Sequence, residues 1–135
     1  NNEFHNTGLV NSAGEIPDKG RVEGERLVRA DPFNCAGRYS DSAVNDCAEL
    51  RFMRSGVDLI GAMRTPSLRN LEGTAPYMHK GQMKRLSEVL DHYNRAPEAM
   101  IVHNEAEPLG LNDLELRQLE DFLNTLNGPV LTPIL

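Results

Sequence analysis

Apolar residues recur at helical spacing in two stretches of the chain. In the first, Leu86, Val89, Leu90 and Tyr93 fall on one face of a helix running from Leu86 to Tyr93. In the second, Leu116, Leu119, Phe122, Leu123 and Leu126 form a core-facing stripe. This helix carries its own punctuation: Asn112 as N-cap, Glu115 in the capping-box position, Leu111 and Leu116 as a hydrophobic staple, and Gly128 as the C-terminal stop. Elsewhere the pattern is weaker. Asp18 to Ala30 is highly charged and predicts a short helix with Val22, Leu27 and Val28 as its apolar content, weakened by two glycines. Ser42 to Leu50 predicts another. Val57 to Met63 is short, apolar and followed by Pro66, which suits an extended segment. Asn1 to Asp18 reads as an extended lead-in anchored by Phe4, and Asp31 to Gly56 and Arg95 to Pro108 read as loops.

The chain has 135 residues, a single-domain length, and its 39% hydrophobic content predicts a modest core that needs help to fold. A formal net charge of -6 argues against nucleic acid or an anionic membrane as partner, since both require a basic footprint. A basic electron-donor protein is compatible with it. No apolar run reaches membrane-spanning length, so no membrane insertion is expected, and Asn1 to Gly8 lacks the features of a signal peptide. Cys35 and Cys47 are the only cysteines. A disulfide between them is favoured over two free buried thiols; closing so short a loop restricts the unfolded chain by roughly 3 kcal/mol on the entropy model and requires an oxidising compartment. A zinc pair is disfavoured because no nearby His completes a ligand set.

Candidate chemistry is densest between Arg64 and Tyr93. Pro66 and Pro76 bend the chain, Arg64 and Arg69 suit carboxylate or phosphate partners, and Tyr77, Met78, His79 and Tyr93 bring metal-binding or proton-transfer groups. A cofactor pocket and a surface loop with an arginine-rich face both accommodate that mixture. His5, in the lead-in, either bonds a charged group or faces water.

Four runs in order, T-P-S-L-R-N, T-A-P-Y-M-H-K-G, L-S-E-V-L-D-H-Y-N and P-L-G-L-N-D-L-E-L-R-Q-L-E-D-F-L-N-T-L-N-G, together with the opening F-H-N-T-G-L, resemble the C-terminal half of the diheme cytochrome c peroxidases and their MauG-type relatives. The resemblance extends from Phe4 to Gly128 and is poorest between Asp18 and Leu59. It implies an all-α, cytochrome c-like domain with long loops. Residues 1–135 would be a partial C-terminal domain, with residues 31–56 a disulfide-pinned insertion. The family's Cys-x-x-Cys-His haem-attachment motif is absent, so the covalent anchor of haem c and the proximal His are expected upstream of Asn1, in a longer polypeptide.

The resemblance further assigns Tyr93 to the haem axial-ligand position, with Met78, Met83 and Met100 as softer rivals. His79, Arg64, Arg69 and His5 become groups around the haem edge, and the backbone of Thr74 and Pro76 becomes part of a calcium site. The implied function is a periplasmic oxidoreductase that reduces hydrogen peroxide, or uses it to oxidise a substrate through high-valent haem iron. Its partners would be the N-terminal haem domain of the same protein and an electron-donor protein or protein substrate. A haem-less cytochrome-like module with a binding or structural role is the competing class.

Overall fold

A computed structural model describes residues 3–9, 18–41, 47–100 and 102–129. Its elements in chain order are strand β1 (Phe4–His5), helix α1 (Arg21–Ala30), helix α2 (Ala48–Arg51), a 3-10 turn (Val57–Leu59), strand β2 (Met63–Arg64), helix α3 (Leu86–Arg95) and helix α4 (Asp113–Thr125). Among the described residues no helix is long and apolar enough to cross a membrane.

The main core lies where α3 crosses α4. Leu86 and Leu90 meet Leu123, flanked by Leu71, Tyr77, Val89, Leu116, Leu119 and Leu126. Burying each of the three central leucines contributes roughly 1.5–3 kcal/mol. Both helices begin on a carboxylate that turns back onto the backbone. Glu88 accepts from the amides of Lys84 (2.7 Å) and Arg85 (3.1 Å), which holds its carboxyl below the usual carboxylate range. At α4, Asn112 Oδ1 accepts from the amides of Leu114 and Glu115 while Glu115 Oε2 accepts from the Asn112 amide at 2.9 Å. The expected capping box is therefore present. Asn112→Ala should cost about 1 kcal/mol of stability, read as a lower urea midpoint with unchanged slope. An unaltered midpoint would show that the cap is dispensable.

Three sequence expectations need correction. Phe122 was expected in the core stripe but is 56% exposed, because it sits at the margin of the face defined by Leu116, Leu119, Leu123 and Leu126. Gly128 does not stop α4, which ends at Thr125. Instead the end of the helix is fastened to the preceding loop: Gly128 N donates to Asn70 Oδ1 at 2.7 Å, Asn70 N to Leu126 O, and Glu72 N to Asn127 Oδ1. Val57 to Met63 is extended only at its end. It opens in the 3-10 turn, which buries Leu59 and leaves Val57 in solvent.

The all-α expectation holds only in part. Helices carry the packing, yet β1 and β2 pair antiparallel, Phe4 opposite Arg64 and His5 opposite Met63. Isolated bridges join Gly20 to Ile60 and Tyr77 to Met83. These short pairings fasten the segments that connect the helices. Helix α1, which buries none of its residues, is tied at its start by Arg21 N donating to Ala62 O at 2.8 Å.

A disulfide joins Cys35 and Cys47, whose Cα atoms are 5.4 Å apart. Helix α2 follows directly; residues 42–46 of the helix expected from Ser42 to Leu50 lie outside the described residues.

Candidate functional site

The F-H-N-T-G run acts as a clasp. Asn6, only 6% exposed, donates through Nδ2 to Ile60 O and accepts at Oδ1 from Gly8 N. Its backbone is matched to Glu105: Glu105 N donates to Asn6 O at 2.8 Å and Asn6 N to Glu105 Oε1 at 3.2 Å. Thr7 O accepts from His92 Nε2 at 2.7 Å. Three distant stretches, before β2, at the end of α3 and in the loop before α4, are thus held against one short segment.

What the clasp encloses is an open cavity of about 350 Å³. Leu9, Met63, Pro66, Met78, Ala99, Met100 and Ala106 supply its apolar wall. His5, Asp18, Arg64, His79, Tyr93 and Glu105 supply polar groups. Tyr93 enters from the last turn of α3, half-buried, and among the described residues its hydroxyl has no hydrogen-bond partner. A tyrosine in such a position ordinarily finds one. An unengaged phenol facing a cavity is available to a ligand.

His79 sits at the rim, its Nε2 3.6 Å from Asp18 Oδ2, and Lys80 Nζ approaches the same oxygen at 3.6 Å. His5 Nδ1 lies 2.8 Å from Glu105 Oε2. That hydrogen bond, aided by the Asn6 amide and opposed by partial desolvation, lowers the Glu105 pKa from its ordinary value. A carboxyl whose folded pKa is depressed adds stability above its unfolded pKa, about 4.3, and the contribution is lost as pH falls through the folded value. Glu105→Gln should therefore flatten the fall in stability on the acid side of pH 4, measured as urea midpoint against pH. Parallel curves for variant and parent would contradict this.

Of the residues singled out in sequence, the structure brings His5, Arg64, His79 and Tyr93 to the cavity, with Met78 and Met100 beside them. Arg69 is exposed and outside it, and Met83 is engaged instead in the bridge with Tyr77. Thr74 and Pro76 also lie outside. The turn they belong to is closed by protein groups, with Thr74 N, Thr74 Oγ1 and Tyr77 Oη all donating to Leu71 O. Among the described residues there is no cluster of three or more His, Cys, Asp or Glu suited to a metal ion. The calcium expectation gains no support. Met63, Asp18, Glu105 and His92 were not foreseen; the last is buried at 8% exposure and stands edge-on to Tyr93, ring centroids 5.5 Å apart.

No family model matches the chain. Individual relatives do. The cytochrome-c peroxidase IdrP2 of Denitromonas iodatirespirans is 31% identical over 132 residues, covering 98% of this chain and 34% of that protein. The cytochrome-c peroxidase IdrP1 of Pseudomonas sp. (strain SCT) is 41% identical over 126 residues, covering 93% of this chain and 33% of its own length. The methylamine utilization protein MauG of Methylorubrum extorquens is 40% identical over 88 residues, covering 64% of this chain and 25% of that protein. Among solved structures, a MauG-like protein associated with microbial copper homeostasis superposes with a TM-score of 0.54 at 27% identity, over 96% of this chain and 36% of that one. Over nearly its whole length the chain is thus similar to cytochrome c peroxidase and MauG proteins. It spans about a third or less of the length of these relatives.

Proposed function

We propose that the chain is the C-terminal haem domain of a diheme, peroxide-dependent oxidoreductase, which reduces hydrogen peroxide or uses it to oxidise a protein or small-molecule substrate. The observation that carries this reading is the meeting of Tyr93, His5, His79 and Arg64 around one largely apolar cavity. That lining fits a haem. Leu9, Met63, Met78, Met100 and Ala106 offer an apolar wall to a porphyrin face, while Arg64, His5 and His79 offer charge and hydrogen bonds to propionates at its edge. Cys35 and Cys47 are bonded to each other, so thioether attachment would come from residues outside this chain.

When bound, the haem supplies an iron that reacts with peroxide and exchanges single electrons. Tyr93 would hold that iron through its unengaged phenol oxygen, a hard anionic ligand of the kind that favours higher oxidation states. Met78 and Met100 at the same cavity are the soft alternatives. The clasp made by Asn6, Thr7 and Glu105 would hold one side of the cavity wall in place. An N-terminal haem domain fits the greater length of the relatives, residues 31–56 fit a disulfide-pinned insertion, and the disulfide fits an oxidising compartment such as the periplasm.

The test is peroxide consumption by the full-length protein, isolated with its native cofactors and supplied with a reduced dye as electron donor. Haem-dependent consumption is expected. A full-length protein that carries no haem would overturn the reading in favour of a haem-less module.

A further inference from the structure

We propose that His92 and Asn94 are positioning residues that hold Tyr93 at the cavity, an inference that rests on reading Tyr93 as the ligand. Tyr93 lies in the last turn of α3, which ends at Arg95. Helix ends lack part of their backbone hydrogen bonding and open first. A ligand placed there needs outside support, because metal–ligand distances tolerate only about 0.2 Å.

Both neighbours of Tyr93 supply it. His92 is 8% exposed, and its Nε2 stands 2.7 Å from Thr7 O. A carbonyl only accepts, so Nε2 carries the proton and donates. Thr7 is itself part of the cavity wall. Asn94 makes a closed pair with one backbone position: Nδ2 donates to Leu111 O at 2.9 Å and Oδ1 accepts from Leu111 N at 2.8 Å. One neighbour therefore ties the turn to the cavity wall and the other ties it to the lead-in of α4. Successive helical side chains diverge by about 100°, so neither tether competes with Tyr93 for the cavity. The His92 ring, at 85° to that of Tyr93, also limits how the phenol can swing.

An apolar residue at 92 would fill the same space more simply; the buried imidazole is explained by the bond it makes. Two substitutions separate these roles. His92→Phe keeps an aromatic ring and loses the donor, whereas His92→Gln keeps a donor of matching reach and loses the ring. The readout is the tyrosinate-to-iron charge-transfer band of the ferric, haem-loaded full-length protein, and the pH midpoint at which it appears. His92→Phe is expected to weaken the band and move its midpoint to higher pH, and His92→Gln to restore both. Asn94→Asp, which retains the acceptor and loses the donor, is expected to shift the midpoint in the same direction and serves if the Phe variant does not fold. A band and midpoint like the parent's in His92→Phe, or equal loss in the Phe and Gln variants, overturns the proposal. So does a parental midpoint in Asn94→Asp. Tyr93→Phe distinguishes the two levels: a band that survives it defeats the ligand reading, while a band lost there but unchanged in the other variants defeats the positioning alone.

Discussion

Replacing Tyr93 with Phe is expected to remove the phenol–iron signature and peroxide turnover from the haem-loaded full-length protein while leaving the fold in place. The reasoning starts from what the hydroxyl does in the polypeptide. Among the described residues it has no hydrogen-bond partner, so its loss leaves no donor or acceptor stranded. Phe occupies the same half-buried volume at the edge of α3, and the change in stability should stay within about 1 kcal/mol. Function and stability should therefore separate. Denaturation midpoints close to the parent's, with the ligand signature gone, are the expected result. A variant that keeps the parental haem spectrum would mean that Met78, Met100 or a group outside this chain holds the iron.

The second large effect is expected at Gly8, the hinge of the clasp. Its φ is +65°, a conformation that costs an L-residue roughly 1–2 kcal/mol. Space compounds the strain: a Cβ there would stand 2.4 Å from Pro97 O and 2.6 Å from Asn104 Nδ2. The Asn104 side chain can rotate away, at the loss of its own bond to Pro97 O, but the Pro97 carbonyl is backbone and cannot. Gly8→Ala should therefore destabilise the protein by roughly 2 kcal/mol or more, and should loosen the segment carrying His5, Asn6 and Thr7. Haem retention should weaken alongside, because that segment forms one wall of the cavity. A parental urea midpoint would contradict this account of the clasp.

These two positions differ in how visible they were from sequence. Tyr93 stood out because Leu86, Val89 and Leu90 set a helical face and because its motif matched a known arrangement. Asn112 and Glu115 announced their capping box by residue type and spacing alone. The β1–β2 ladder could not be read, since each strand is two residues long and they pair across nearly sixty residues of chain. Glu105 lies in a loop without periodicity, and only the fold brings it to His5 and Asn6. His92 and Asn94 carry no signal of their own in the local sequence. What made them structural partners was the arrival of Thr7 and Leu111, which no local pattern encodes. Phe122 and Gly128 erred in the opposite direction, because local rules assigned them to a core face and a helix stop that tertiary packing placed elsewhere.

The central claim is that this cavity receives a haem whose iron meets the Tyr93 oxygen. Resonance Raman spectroscopy of the ferric full-length protein, excited within a phenolate charge-transfer band, tests it most directly. The account predicts phenolate vibrations that shift when the protein is grown on ring-deuterated tyrosine and vanish in Tyr93→Phe. A spectrum with ligand modes of histidine and methionine alone, insensitive to tyrosine labelling, would contradict it.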